Sequence, residues 1–403
     1  MLSIFLRPLA VGACCLAFAS ASVAQTPAPV SLRAAVDAAW NLSPQARSQQ
    51  NRLAELDARR NAAASWFSGP PALTLAHRTD SVGTNEGLRE MEAEISAPVW
   101  SPAVRRATSA QVDAERNTLE LQVLRARAAL AADVRDLAAQ FALARIERDV
   151  VQRKLQDTQQ LASDIKRRVD AGEVARVDHL QALAAQHQSS TALAQTEAAL
   201  NRLQAQWAAL TGLASVASLE ETESTQSQPH PEQLAAEAQL RSAQANLDLT
   251  AADRRDPIEL GVGMTRERPT AGAGSERSIR FVVRIPFGSE SRNAPKLALA
   301  RAEVDEAQAQ AQAAARTVDA ERNAAQAELA ATRRAQSLAA DRETLAREVH
   351  GLIAKSYQLG ESDLQIRLRA EAERFDAELS HARARVETQR AISKLNQAFG
   401  VLP

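Results

Sequence analysis

The chain has 403 residues, with 48 Lys and Arg against 49 Asp and Glu and a formal charge of −1. Hydrophobic residues make up 45% but aromatic residues only 3%, with 14 glycines, a composition of long helices rather than of an average globular domain. Balanced charge without a dense basic block excludes nucleic acid as the expected partner.

The N-terminal stretch "MLSIFLRPLAVGACCLAFASASVAQ" has one positive charge at Arg7, a short apolar run, and small residues at Ser22 and Ala24. This pattern predicts a secretory signal peptide over residues 1–24. Both cysteines, Cys14 and Cys15, fall inside it, so the mature chain is expected to hold neither disulfides nor thiolate ligands. "VGAC" before Cys15 loosely resembles a lipobox, and a lipidated N-terminus is the alternative. No later segment supplies the about 20 consecutive apolar residues that a membrane-spanning helix needs, so only β-strands would cross a bilayer.

Residues 32–67 read as helix with a break at Ser43-Pro44. "ALTLAHRTD" and "LREMEAEIS", joined by "SVGTNEG", predict a β-hairpin over 72–97. In its second strand Met91, Ala93 and Ile95 alternate with Glu90, Glu92, Glu94 and Ser96, giving one oily and one acidic face. Between Pro98 and Gly172 there is no glycine, and a helix of about 70 residues spans roughly 100 Å. Leu130, Val134, Leu137 and Phe141 step by four, three and four, a stripe for partner helices. The lone glycine of "RVDAGEVARVDHLQ" breaks that helix at Gly172-Glu173, supplying the positive φ that ends it, and a helix over 174–212 returns.

The whole arrangement then repeats. Gly360-Glu361 lies 188 residues after Gly172-Glu173, and the same offset relates Pro98 to Pro286, Glu115 to Glu303 and Gly212 to Gly400. Pro44 answers to Pro231 at an offset of 187. The chain is read as a tandem duplication: a first repeat over 25–217 with its tip at 172, a polar linker over 218–231, and a second repeat over 232–403. The second repeat has a hairpin over 258–285 and a tip at 360. Leu260, Val262 and Met264, then Ile279, Phe281, Val283 and Ile285, alternate with mostly small or polar residues. The second long helix is expected to begin only after Pro295, and Leu345, Val349 and Leu352 continue the partner stripe.

Strands of about ten residues with this alternation suit a transmembrane barrel, lipid outside and water inside; a soluble hairpin packed on helices fits the strands equally well. The long helices favour the barrel reading, because such a rod cannot bury itself alone. Stacked end to end, the two shorter helices match one long one, which makes the Gly-Glu breaks the far tips of two helical hairpins.

Candidate chemistry is sparse. His77, His179, His187, His230, His350 and His381 are scattered without metal-ligand spacing. No nucleophile elbow, phosphate loop or dinucleotide fingerprint is present, and "AGAG" at 271–274 lies in a hairpin loop with no helix after it. No enzyme, metal or cofactor is expected. Glu90, Glu92 and Glu94 are expected to line a barrel lumen, and Glu371 and Glu373 to lie on a helix surface. Trp66, Phe67, Trp100 and Phe287 fall where helix and strand meet, as an interfacial girdle would.

With a secretory signal, two copies of β-hairpin plus long helical hairpin, Pro-aromatic junctions, and glycine tips followed by "VDHLQA" or "QIRLRA", the sequence resembles the TolC family of outer-membrane efflux proteins over nearly all of the mature chain. The resemblance implies a mainly α fold with a transmembrane β-barrel. Three identical protomers would each give two β-hairpins to a twelve-stranded barrel and their long helical hairpins to a periplasmic α-barrel tunnel. It implies the outer membrane of a Gram-negative bacterium, contact with outer-membrane lipid, and passive export within a tripartite efflux system. The partners would be a periplasmic adaptor (membrane fusion) protein and an inner-membrane pump, the RND type being one candidate. Mature length and the lack of a long C-terminal extension look most like the heavy-metal cation efflux branch, while drugs and polypeptides pass through other relatives.

The resemblance also assigns roles at the tips. Gly172, Glu173, Gly360, Glu361 and Asp363 would dock the adaptor. A tyrosine three positions before the second tip glycine and an aspartate six after the first would form the periplasmic gate; those positions hold Tyr357, the only tyrosine in the chain, and Asp178. One departure stands out: the family's acidic constriction after the second tip matches Ile366 and Arg369 here, so either Glu361 and Asp363 supply that ring or the selectivity differs. The competing reading is a soluble periplasmic coiled-coil adaptor or scaffold.

Overall fold

The computed structural model describes residues 30–224 and 228–403; the expected signal peptide and its cysteines lie outside the described residues. The elements run α1 (Leu32–Leu42), α2 (Pro44–Ala64), β1 (Ala72–Thr79), β2 (Arg89–Val99), α3 (Pro102–Asp170), α4 (Arg176–Thr211), α5 (Pro231–Ala252), β3 (Ile258–Arg268), β4 (Glu276–Arg284), α6 (Glu290–Gln358) and α7 (Leu364–Ala398).

From α2 onward the elements recur in order: α5, β3, β4, α6 and α7 answer to α2, β1, β2, α3 and α4, while α1 has no counterpart among the described residues. α3 and α6 each have 69 residues, start 188 residues apart and end 188 residues apart. Even single contacts repeat: Arg59 on α2 pairs with Glu115 on α3, and Asn246 on α5 donates to Glu303 on α6 at 3.0 Å. At the Ser43-Pro44 break, Ser43 caps α2 by accepting from the Ala46 amide at 3.1 Å, with proline at the first helical position where no amide is needed.

α3 and α6 each run from the sheet to the tips, over about 100 Å. α4 packs along α3 and α7 along α6 toward the tips, α2 packs on α3 nearer the sheet, and α5 lies between α3 and α6. Leu32 and Val36 of α1, Ala131, Val134 and Ala138 of α3, and Trp207 of α4 form the largest buried cluster. Its many alanines let helix backbones approach closely. The Leu130–Val134–Leu137 stripe is therefore covered within the chain. Leu338, Leu345, Val349 and Leu352 of α6 and its capping residue Leu359, spaced seven, four, three and seven, are exposed and face out of it.

One boundary differs from expectation. α6 begins at Glu290, with Pro295 inside it. The first turn is anchored from outside the helix: Arg292 makes two bonds to Asp256, at 2.7 and 3.0 Å, and the Asn293 side chain donates to the Arg254 carbonyl at 2.7 Å. A proline this close to a helix start removes one backbone bond, and those side-chain contacts offset it.

The segment joining the repeats is fastened at mid-rod by Arg135, which sequence reading did not single out. Its guanidinium donates to both Glu221 oxygens, at 2.7 and 3.0 Å, to Gln397 and to the Val401 carbonyl. The Arg135 and Glu221 side chains are only 4% and 11% exposed. Arg135→Ala leaves a buried carboxylate unpaired and is expected to cost about 3–5 kcal/mol. Replacing both partners at once, Arg135→Met together with Glu221→Leu, is expected to recover most of that loss, as read by chemical denaturation.

Candidate functional site: the sheet and the hairpin tips

At one end of the rods the four strands form an antiparallel sheet in the order β1-β2-β3-β4. The central pairing, β2 to β3, joins the two repeats, with Glu92 opposite Thr265 and Ile95 opposite Val262. The outer edges of β1 and β4 have no partner strand among the described residues. The hairpin loops are tied to each other by the Ala271 amide, which donates to the Glu86 carbonyl at 2.8 Å.

Register sorts the side chains into two faces. Leu73, Ile95, Val262 and Phe281 form one row across the sheet, and Leu75, Ala93, Met264 and Ile279 the next. Phe281 is 79% exposed and Ile279 70%. On the opposite face Thr74, Glu94, Gly263 and Arg280 make one row, and Ala76, Glu92, Thr265 and Ser278 another. Glu92 pairs with Arg280 across β3, and Arg280 also donates to the Thr265 hydroxyl. Glu90 stands 3.7 Å from Arg78. Opposite β2, Gly261 and Gly263 leave room for Glu94: a Cβ on Gly261 would come within 3.1 Å of its carboxylate. Glu90, Glu92 and Glu94 thus share the polar face, two of them beside arginines.

Trp66, Phe67, Trp100 and Phe287 lie where the helices meet the strands, and Trp66 and Phe287 are almost fully exposed. Among the described residues, no helix is long and apolar enough to cross a membrane.

The other end carries the two tips, built alike. Gly172 and Gly360 both have φ of 78°. The Glu173 amide donates back to the Arg168 carbonyl at 2.8 Å, and the Glu361 amide to the Ser356 carbonyl at 3.0 Å. These close the same six-residue ring at each helix end. Asp363 caps α7, accepting from the Ile366 amide at 2.8 Å. α4 has Ala175 at its N-cap, without a side-chain bond, and Asp178 supplies the negative charge in its first turn. Glu173 lies 3.3 Å from Arg168, and Glu361 is exposed.

A small core joins the hairpins at this end: Leu161, Ala162 and Ile165 of α3, Ala182 of α4, Tyr357 of α6 and Leu364 of α7. Tyr357 is 8% exposed. The Arg168 and Arg367 guanidinium carbons stand 5.5 and 4.9 Å from its ring centroid, within the range of cation–π attraction. Asp178 lies one turn before Ala182 of the same cluster, and within the single chain the two gate candidates, Asp178 and Tyr357, are not hydrogen-bonded to each other.

Glu371 corrects an expectation: it is not on a helix surface but buried, 4% exposed, while Glu373 is exposed. The signal was present in the sequence. Leu364, Leu368, Glu371 and Phe375 step by four, three and four, so Glu371 occupies an apolar stripe. Burial and the Asp157 charge hold its carboxyl above the usual range. His350 is shifted below the usual histidine range by burial and by Arg374 and Arg367.

No family model matches the chain, and no curated protein does. Solved structures do match in fold. The outer membrane protein VceC of Vibrio cholerae is 17% identical, with 92% of this chain and 96% of that chain covered at a TM-score of 0.73. The CmeC outer membrane channel of Campylobacter jejuni is 14% identical, covering 92% and 85%, at 0.72. The open state of the MtrE outer membrane channel of Neisseria gonorrhoeae is 15% identical, covering 92% and 89%, at 0.72. The fold of the single chain, mainly helical with a small antiparallel sheet, is therefore similar to that of these outer-membrane channels.

Because both tip glycines combine a positive φ with open space around the Cβ position, Gly172→Ala and Gly360→Ala are each expected to destabilise by about 1–2 kcal/mol. Gly351, inside α6 with equally open surroundings, serves as control: Gly351→Ala is expected to stabilise by about 0.5–1 kcal/mol. Urea unfolding followed by circular dichroism reads all three.

Proposed function

We propose that the protein is an outer-membrane export channel: a passive conduit that carries cargo through a lipid-embedded β-barrel and a periplasmic helical tunnel. The single observation behind this reading is the sheet, with an exposed apolar face, a polar face bearing Glu90, Glu92 and Glu94, and two edges without a partner strand among the described residues, held at one end of rods about 100 Å long. Lipid is the partner such a face fits, and water the partner of the other.

The internal duplication supports assembly into a ring. β2 pairs with β3 between the repeats, and α5 fills the groove between α3 and α6. Continuing the same relation outward sets β4 of one copy against β1 of the next, and α2 of the next copy into the groove beside α6. A homotrimer closed in this way has twelve strands and no free edge. The exposed α6 leucine stripe is then covered by the neighbouring copy.

The tips, with Gly172, Glu173, Gly360, Glu361 and Asp363, are the docking points for a periplasmic adaptor, behind which an inner-membrane pump supplies energy and choice of cargo. Tyr357 and Asp178 form the gate, bonding in the closed assembly and parting when the adaptor engages. Heavy-metal cations are the cargo class implied by the branch resemblance, and a resistance assay with metal salts tests that part separately.

Single-channel recording in planar bilayers tests the function. A small, mostly closed conductance is expected from the purified protein, and a wider one from Tyr357→Phe and Asp178→Ala. Unchanged conductance in both variants would remove the gate pair but keep the channel. Failure of the folded protein to insert would leave the soluble scaffold as the better reading. Phe281→Arg, on the lipid face, is expected to weaken folding into vesicles by about 2–4 kcal/mol.

A further inference from the structure

Around Glu371, burial and the Asp157 charge outweigh the nearby cations Arg367, Arg374 and Lys154. The Glu371 Oε1 is buried without a hydrogen-bond partner. Asp157 and Lys154 face it from α3, and Arg367 and Arg374 flank it on α7. From α6, His350 faces the same arginines and Asp157. Two of the three cations have other partners: Arg374 donates to Asp157 at 2.6 Å, and Arg367 stacks on the Tyr357 ring. Arg367 is thus shared between the buried carboxyl and the aromatic centre of the tip core.

We propose that Glu371 is a proton-operated lock on the hairpin tips. With the carboxyl protonated, the buried Glu371 position carries no charge and Arg367 stays on Tyr357. With it ionised, a carboxylate that burial and the Asp157 charge disfavour sits in the α3–α7 contact and draws Arg367 off the ring, so the tip core loosens. The lock is a property of the helices themselves; only its consequence, easier opening of the tunnel, rests on the channel reading.

The sign follows from linkage. A glutamate whose folded pKa lies above its unfolded value binds more protons when folded, so its stabilisation is present at low pH and is lost as pH rises through that window. His350, shifted down, acts oppositely: stability is lost as pH falls below the ordinary histidine value. Glu371→Gln, neutral at every pH, isolates the carboxyl from this opposing group.

Hydrogen exchange of the full chain in detergent, comparing wild type with Glu371→Gln at pH 5 and pH 8, tests the lock. At pH 8 the peptides covering 355–372 are expected to exchange about threefold or more faster in the wild type, the linkage expected when a buried carboxyl must ionise. At pH 5 the ratio should fall toward one. Asp157→Asn, which removes the like charge but keeps Glu371, should reduce the pH 8 difference. A ratio that is the same at both pH values would overturn the proposal, whatever its size. If the exchange ratio behaves as stated while bilayers show no conductance, the lock stands and the channel reading fails. If conductance appears but the ratio does not move with pH, the reverse holds.

Discussion

A sheet with one apolar face open to its surroundings and both edges unpaired is a poor object to leave in water. Its exposed rows, from Leu73 across to Phe281 and from Leu75 across to Ile279, form the kind of contiguous apolar surface that soluble monomers avoid. Free edges add two rows of unsatisfied backbone groups. Lipid on the face and a neighbouring strand on each edge satisfy both demands together. Under the proposed channel function, the remainder of the architecture holds such sheets side by side and connects them to the hairpin tips.

Duplication makes that assembly simple. The two repeats already solve, inside one chain, the problem of joining one hairpin to the next: β2 to β3 in the sheet, α5 wedged between α3 and α6 in the rods. An interface between copies needs only to reproduce a contact that the chain makes with itself. The one-residue slip between the Arg59–Glu115 and Asn246–Glu303 contacts shows how little the second solution departs from the first. Between the repeats, Arg135 and Glu221 fasten the connecting segment against α3 and α7, so the repeats are held at mid-rod as well as at both ends.

Much of this was legible in the sequence because it depends on period and punctuation. Alternation in "REMEAEIS" gave the two sheet faces, and the repeated Gly-Glu gave the tips, each with a glycine at φ of 78°. What escaped were polar residues inside helical stripes. Glu371 sits between Leu368 and Phe375, and Arg135 between Ala131 and Ala138. A charged residue on a helix is usually solvated, and only the stripe phase argues otherwise. The start of α6 was misplaced for a related reason: Pro295 is a breaker by local rules, and the contacts that hold the turn before it, Arg292 to Asp256 and Asn293 to Arg254, reach back 36 and 39 residues.

The claim at the centre is that the sheet closes against copies of itself in lipid. Electron cryomicroscopy of the full chain in lipid nanodiscs tests it most directly. The account predicts a closed ring in which β4 of each copy is hydrogen-bonded to β1 of the next, with Leu73, Leu75, Ile279 and Phe281 facing the lipid and Glu90, Glu92 and Glu94 facing the pore. A single chain with open edges, or an assembly in which protein covers that apolar face, would contradict it.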